Sequence, residues 1–401
     1  MVRGLALALL ALTGCAEAWS PESIIEDLRV IGMQADPAEL KPGESASLSA
    51  LILDPSRPGQ KNTVLWIGCD PDPFNLGRSA CSDPAVLQNP ASLVSGGKLP
   101  NGVHFIGLDN AATYATSAEL FSQLAATDTR RQTGTVGQVL AIAIAQETTG
   151  VPTMEEAAAL FDKVAKKEVK AVITLFRIKV SESATRNTNP VISAFLFDGK
   201  PVKPNLPAMI SAAGKREVLL EAPEGSFEPY VETTPTAMEE KVERLTSAWY
   251  STSGRFNNLR VALRSEVKAI FTAPGDPGFP LDKVPENRSG TFFVVMRDTR
   301  GGQTWTQHPF WICDIATSIA NVTAVTSPAA KGELVVVDGQ GLDGVLAIEA
   351  GGVGMLRGSF SPMSGKYEAL VPPTLAPGTY PVTVHRKNCS SVETGLMLTV
   401  P

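Results

Sequence analysis

Five cysteines and three histidines are the residues of this chain best suited to chemistry. Cys15 stands alone near the amino terminus, and Cys69, Cys81, Cys313 and Cys389 follow. Those four allow three pairings. Cys69 and Cys81 bracket a short Pro-, Asp- and Gly-rich loop, so a local bond is the economical choice, and Cys313 then meets Cys389. A metal site is the rival reading. His104, His308 and His385 are scattered, and neither CxxC nor HxxxH spacing occurs, so no metal and no other cofactor is expected. Asp70, Asp72 and Asn75 carry part of the spacing of a calcium loop, but Pro71 and Pro73 interrupt it and no closing glutamate follows. Gly339 to Gly344 satisfies GxGxxG after the apolar run Leu334 to Val337. A dinucleotide site needs a helix opening at the third glycine, and VLAIEAGGVG reads as strand and turn. Its glycines read as turn residues at positive φ. No GxSxG elbow presents a serine, and Glu155-Glu156 and Glu239-Glu240 are neighbours that do not face each other on a helix. The residues therefore describe no enzyme. Trp19, Trp66, Trp249, Trp305 and Trp311 could stack on sugars, but Trp66 and Trp249 sit at core phase within strands.

Cys15 has a different context. Arg3 precedes a short apolar run, Gly4 to Leu12, of about half the roughly twenty residues a spanning helix needs. This reads as a secretory signal peptide, residues 1–14, ending Leu12-Thr13-Gly14-Cys15. The run resembles the lipobox of bacterial lipoproteins, which implies that the Cys15 thiol carries a diacylglyceryl group and that its freed amine is acylated. Two or three acyl chains hold a protein firmly, at about 0.8 kcal/mol per buried CH₂. Ala16, not Asp, follows the cysteine, which in that family implies the outer membrane. No later run reaches eighteen apolar residues.

Acidic residues exceed basic ones by 41 to 35, which argues against a nucleic-acid partner. Loss of the signal peptide removes Arg3 and no acid, so the exported body is more acidic still. An anionic membrane would hold it only through the lipid. With 34 Gly, 30 Pro and 6% aromatic residues, the chain suits turn-rich β modules better than a helical bundle.

The body divides into three such modules: 24–186, 190–313 and 320–401, after a tether over 15–23. In the first, Leu28 and Val30 alternate with polar residues, Pro42-Gly43 turns, and Ala46, Leu48, Ala50 and Ile52 alternate again. Val64 to Ile67 forms a third strand running into Cys69. VLAIAIAQ sets Leu140, Ile142 and Ile144 against a face of alanines, and VKAVITLFRIKVSES closes the module. An insertion over about 100–167 places one helix on either side of VLAIAIAQ. Thr116 to Glu119 and Thr153 to Glu156 read as capping boxes opening two helices. Met154, Ala157, Ala158, Leu160, Phe161 and Val164 form an apolar stripe on the second. The insertion is a partner-binding or oligomerising surface, or else a cover for a sheet edge.

RNTNPV, Arg186 to Val191, is a polar joint to the second module. There Leu245, Ser247 and Trp249 alternate, and Phe227 to Glu240 reads as an acidic loop. Phe292, Val294 and Met296 share a face, Asp298 to Gly302 turns, and Trp305 returns. The opening PxxLxPGExxxLxA pattern and the VxRDxRGG hairpin are similar to those of immunoglobulin-like domains in bacterial lipoproteins. The last eighty residues resemble the IPT/TIG domain through Ser327-Pro328, LVVVDGQGL, IEAGGV and LVPPTLAPGTYPVTV. The resemblance implies a mainly β chain of tandem immunoglobulin-like sandwiches, the first with helical insertions. It implies binding or spacing, not catalysis. The expected partners are the membrane, through the lipid, and an envelope protein. The alternatives are an adhesin taking polysaccharide, with Trp305 and Trp311 on one exposed platform, and a hydrolase whose pocket lies between residues 100 and 167.

Overall fold

The computed structural model describes residues 21–74, 81, 99, 101–109, 112–147, 154–233, 238–317 and 320–401. The signal peptide and Cys15 lie outside the described residues. The chain is mainly β and forms tandem immunoglobulin-like sandwiches, each closing two sheets on its own core.

Module 1 begins with the hairpin that the alternation marks. Arg29–Asp36 pairs antiparallel with Ser45–Leu53, and Ala112–Ala115 completes a three-stranded sheet. Thr63–Cys69, Thr135–Ile144 and Ala171–Val180 form the centre of a five-stranded sheet, with Val103–Leu108 and Glu39–Leu40 outside them. Met33, Leu48, Trp66, Tyr114 and Ile178 fill the space between the sheets. Thr135–Ile144 is apolar on both sides. Val139 and Ala141 face the inter-sheet core, while Leu140, Ile142 and Ile144 face outward. That outward face is covered by the helix Met154–Ala165, through Ala157 and Leu160. Thr153, its expected cap, lies outside the described residues, as do the side chains of Met154, Ala158 and Phe161.

The first expected helix is absent. From Ser117 the chain makes successive turns, with Leu120, Ser122, Leu124 and Asp128 each donating to the carbonyl three residues back. Two contacts explain the difference. Thr116 does not cap: its hydroxyl accepts from Gly43 N at 3.1 Å and serves the Pro42-Gly43 turn. Arg131 takes the carbonyls of Phe121 and Leu124 at 2.8 and 3.2 Å, acceptors an α-helix would need. Phe121 and Leu124 are buried within the module. Phe121, Leu124, Ala157 and Leu160 of the insertion are thus buried in its own module.

Module 2 packs Ala194–Phe197, Lys215–Glu221 and Ala269–Thr272 against Ser289–Arg297, Gln303–Ile312 and Thr246–Ser251. Its core is aromatic. Trp249 is fully buried, and Phe271 meets Phe292 edge-on at 4.7 Å between ring centroids. The acidic segment expected as a loop is a hairpin, Pro229–Thr233 with Met238–Val242. Alternating Val, Thr and Glu over 229–233 supply the β-branched residues that favour a strand there.

Module 3 sets Asn321–Val325, Leu334–Gln340, Leu356–Ser361 and Lys366–Leu370 against Val345–Ala350, Val353–Gly354, Gly378–Arg386 and Ser391–Val400. Its GxGxxG segment runs from a strand into a 3₁₀ turn, Leu342–Gly344. Only its middle glycine, Gly341, has positive φ, at 63°. Gly339 is required by space: a Cβ there would lie 2.1 Å from the Asn321 carbonyl oxygen.

Both joints are packed. Phe293 and Val295 alternate with the core residues of their strand and so leave module 2 on its outer face. Ile25, Ile31, Leu51 and Trp305 cover them. Ile25 N also donates to Ser251 O at 2.8 Å, which ties the start of module 1 to the sheet of module 2. Cys313 and Cys389 are bonded across the second joint, and Trp311 Nε1 donates to Lys387 O at 2.8 Å.

Candidate functional site

The polar joint between modules 1 and 2 gathers buried charges and amides, Glu39, Asn187 and Glu243 among them. Glu39, fully buried, opens the two-residue strand Glu39–Leu40, paired parallel to Ala171–Val180. It accepts from Ser181 Oγ at 2.5 Å and from Asn187 N at 3.0 Å, and Lys179 Nζ lies 3.2 Å away. Asn187 then reaches across to Asp298, 111 residues later, at 3.2 Å. Asp298 also accepts from the amides of Arg300, Gly301 and Gly302 at 2.6–2.8 Å, and so shapes the turn of the last hairpin of module 2. Asn189 locks the same joint from its other side, donating to Ala35 O at 2.7 Å and accepting from Gln303 N at 3.0 Å.

Arg300 is the hub. Its side chain is 7% exposed and binds Glu243 at 2.5 Å, Glu228, and Thr185 O at 3.1 Å. Its guanidinium also lies 5.1 Å from the Tyr230 ring centroid. Glu243 is buried, and burial pushes its pKa up to about 7. The Arg300 hydrogen bond opposes that rise, and the charges of Asp298 and Glu228 add to it. Burial likewise raises Asp298, against the bonds from Asn187 and the turn amides.

Outside this cluster lies a cleft of about 280 Å³, lined among others by Gln132, Ser183, Thr185, Tyr230, Glu232 and Arg300. The cations at its base are already paired: Arg300 with two glutamates and Lys179 with Glu39. The Glu232 carboxylate is likewise paired, with Lys241, and what remains is a set of hydroxyls, an amide and one aromatic ring. That set suits hydrogen bonding to a polar ligand better than the capture of a strong anion.

The other sequence candidates distribute as follows. Cys69 is bonded to Cys81, with Cα atoms 5.6 Å apart, and both are buried under the helix-covered face. Asp70 pairs with His104 at 3.1 Å on the surface, and Asp72 accepts from Phe74 N at 2.8 Å. Asn75 and Trp19 lie outside the described residues. His308 is stacked on Phe195 at 4.3 Å, and burial lowers its pKa. Trp305 and Trp311 do not share a platform: the first belongs to the module 1–2 joint and the second to the module 2–3 joint. Of the insertion, only Gln132 and Thr133 line the joint cleft. Among the described residues no three His, Cys, Asp or Glu side chains gather as metal ligands, and no helix is long and apolar enough to cross a membrane.

Arg300, Glu243, Asp298, Glu39 and Asn187 were not singled out by residue type or spacing. A trace was present: RNTNPV stood out as polar, and VxRDxRGG contains both Asp298 and Arg300. Their meeting was hidden by the separation along the chain.

No family model and no curated protein matches this sequence. Among solved structures it is similar to SGBP-B of the Bacteroides ovatus mixed-linkage glucan utilization locus, in complex with a heptasaccharide. The identity is 11%, with 54% of this chain and 47% of that one covered, at a TM-score of 0.19. It is also similar to SGBP-B from a Bacteroides uniformis xyloglucan utilization locus, at 13% identity over 51% of this chain and 49% of that one, with a TM-score of 0.17. The chain therefore spans about half the length of these two proteins. Drosophila N-cadherin EC1-3 is a third, at 11% identity over 73% of this chain and 83% of that one, with a TM-score of 0.22. At these scores the likeness adds nothing to the sandwich architecture already described.

Proposed function

We propose that this chain is a lipid-anchored protein of the bacterial outer membrane. Its three stacked sandwiches, the last of IPT/TIG type, act as a binding or scaffold subunit for an envelope protein. The observation that carries the reading is the construction of the joints. Each is buried and bonded, through Asn187–Asp298 and Trp305 at the first and through Cys313–Cys389 and Trp311 at the second. Linkers between independent binding modules are ordinarily exposed and flexible. Packed joints hold the modules at fixed angles, which is what a spacer or scaffold requires.

The anchor is tested by Cys15→Ser, which should move the protein from the outer-membrane fraction to the soluble fraction. Unchanged partitioning would remove the lipoprotein reading. The scaffold role is tested by cross-linking and purifying the acylated protein, then repeating with Asp298→Ala. The expected result is loss of a reproducible partner while the modules stay folded. Capture indifferent to the joint would place the contact on a single module.

A second reading, polysaccharide binding, is favoured by the ring of Tyr230 beside the hydroxyl-rich cleft. Calorimetric titration with soluble glucans would support it if heat is released and Tyr230→Ala abolishes it. Equal binding by parent and variant would exclude this cleft.

A further inference from the structure

The module 2–3 joint carries a polar array unrelated to that cleft. On Gly378–Arg386 and Ser391–Val400, His385 lies opposite Ser391. On the other side, Glu349 of Val345–Ala350 lies opposite Thr383. Directly opposed residues share a face, as do Thr383 and His385 two residues apart. Glu349, His385 and Ser391 therefore line one face, although 36 and 6 residues separate His385 from its two partners. His385 Nε2 is 2.7 Å from Glu349 Oε2, and Nδ1 is 2.8 Å from Ser391 Oγ.

The proton positions follow from chemistry. A carboxylate only accepts, so Nε2 carries the ring hydrogen and Nδ1 presents its lone pair to the Ser391 hydroxyl. Lys203, from module 2, binds the other oxygen of Glu349. Burial alone would raise the Glu349 pKa, but the bonds and charges of Lys203 and His385 outweigh it and hold the group below its ordinary value. Glu349 is 6% exposed, whereas Ser391 is open to solvent. The array faces a cleft of about 410 Å³, where Glu393 is the remaining charged lining residue.

We propose that Ser391 is an activated nucleophile, with His385 as its general base and Glu349 as the positioning residue for the imidazole, and that it accepts acyl or phosphonyl groups from activated esters. Ser391 Oγ bonds to the electrophilic carbon or phosphorus as its proton passes to His385 Nδ1. The ester C–O or P–X bond breaks, and the leaving group departs with that proton or as a stable anion. Water assisted by the same imidazole would later release the acid and regenerate the hydroxyl. Amides within a sheet lie in its plane, so its face offers no convergent pair of donors for an oxyanion. The gain is then that of general-base assistance, about 10²–10⁴-fold, and the acyl-serine should accumulate. No GxSxG elbow motif presents this serine. This array needs none, since cross-strand register supplies the geometry.

The test uses the full chain, a fluorophosphonate probe and peptide mapping. Ser391 should label about a hundredfold faster than Ser359, an exposed serine of the same module. The rate should vary with pH in the parent and fall to the Ser359 level in His385→Gln. Glu349→Gln should slow labelling and shift its pH profile, which a merely structural role would not do. If His385→Gln unfolds the module, the pH profile of the parent decides. Labelling of Ser391 at the Ser359 rate, or a rate flat with pH in the parent, overturns the proposal.

Discussion

Glu243 shows how burial turns an ordinary carboxylate into a titrating part of a joint. Its pKa rises from 4.5 in the open chain to about 7 in the folded protein. Between those values the folded state holds a proton that the unfolded state has released. The stability this group contributes is therefore full below its unfolded value and is lost as pH rises through about 7. Thermal unfolding followed from pH 4.5 to about pH 7 should show a falling Tm that levels off above, and Glu243→Gln should flatten that slope. An unchanged slope in the variant would assign the dependence to another group. Gly137 gives a second test at this scale. A Cβ there would sit 2.0 Å from the Tyr114 hydroxyl, which is buried and donates to Cys69 O at 3.0 Å. Gly137→Ala must displace that ring and should cost about 1–3 kcal/mol, read by denaturant unfolding.

Among the elements, the helix Met154–Ala165 carries the sharpest expectation. Its buried Leu160 seals the outward face of Thr135–Ile144. Leu160→Ala should therefore cost about 2–5 kcal/mol and raise hydrogen exchange along that strand. If exchange rises only within the helix, the helix is an appendage and not a cover. The turn segment after Ser117 behaves differently. Its order depends on Arg131, which also pairs with Glu182 at 2.8 Å. Arg131→Ala should loosen 117–131 while leaving the helix protected, a pattern that two independent capped helices would not give.

For the whole molecule, the Cys313–Cys389 bond closes 76 residues onto the second joint. On chain-entropy grounds its removal by Cys313→Ser with Cys389→Ser should cost about 4 kcal/mol, visible as a lower Tm for module 3. Trp311 and Asp314 still reach Lys387 O, so limited proteolysis should find the module docked. Release of the module as a free fragment would mean that the bond alone holds the stack.

Much of this architecture follows from local pattern. Strand alternation around Leu48, Ile142, Trp249 and Val294 identified sandwich strands, because a half-buried sheet sorts side chains with period two. The short loop between Cys69 and Cys81 favoured the local bond that the structure contains. The expected helix at Glu119 failed for a reason lying outside its own segment: Arg131 and the turn at Gly43 take the groups a helix would use. The candidate sites were less legible still. Arg300 meets Glu228 and Glu243 from 72 and 57 residues away, and Glu349 meets His385 across 36. The sequence by itself determined the β character and the acidic balance, since the first rests on neighbours a few residues apart and the second on composition alone. Only the tertiary structure decided what the joints contain and which charges they bury, because register and module contact alone bring those groups within hydrogen-bonding distance.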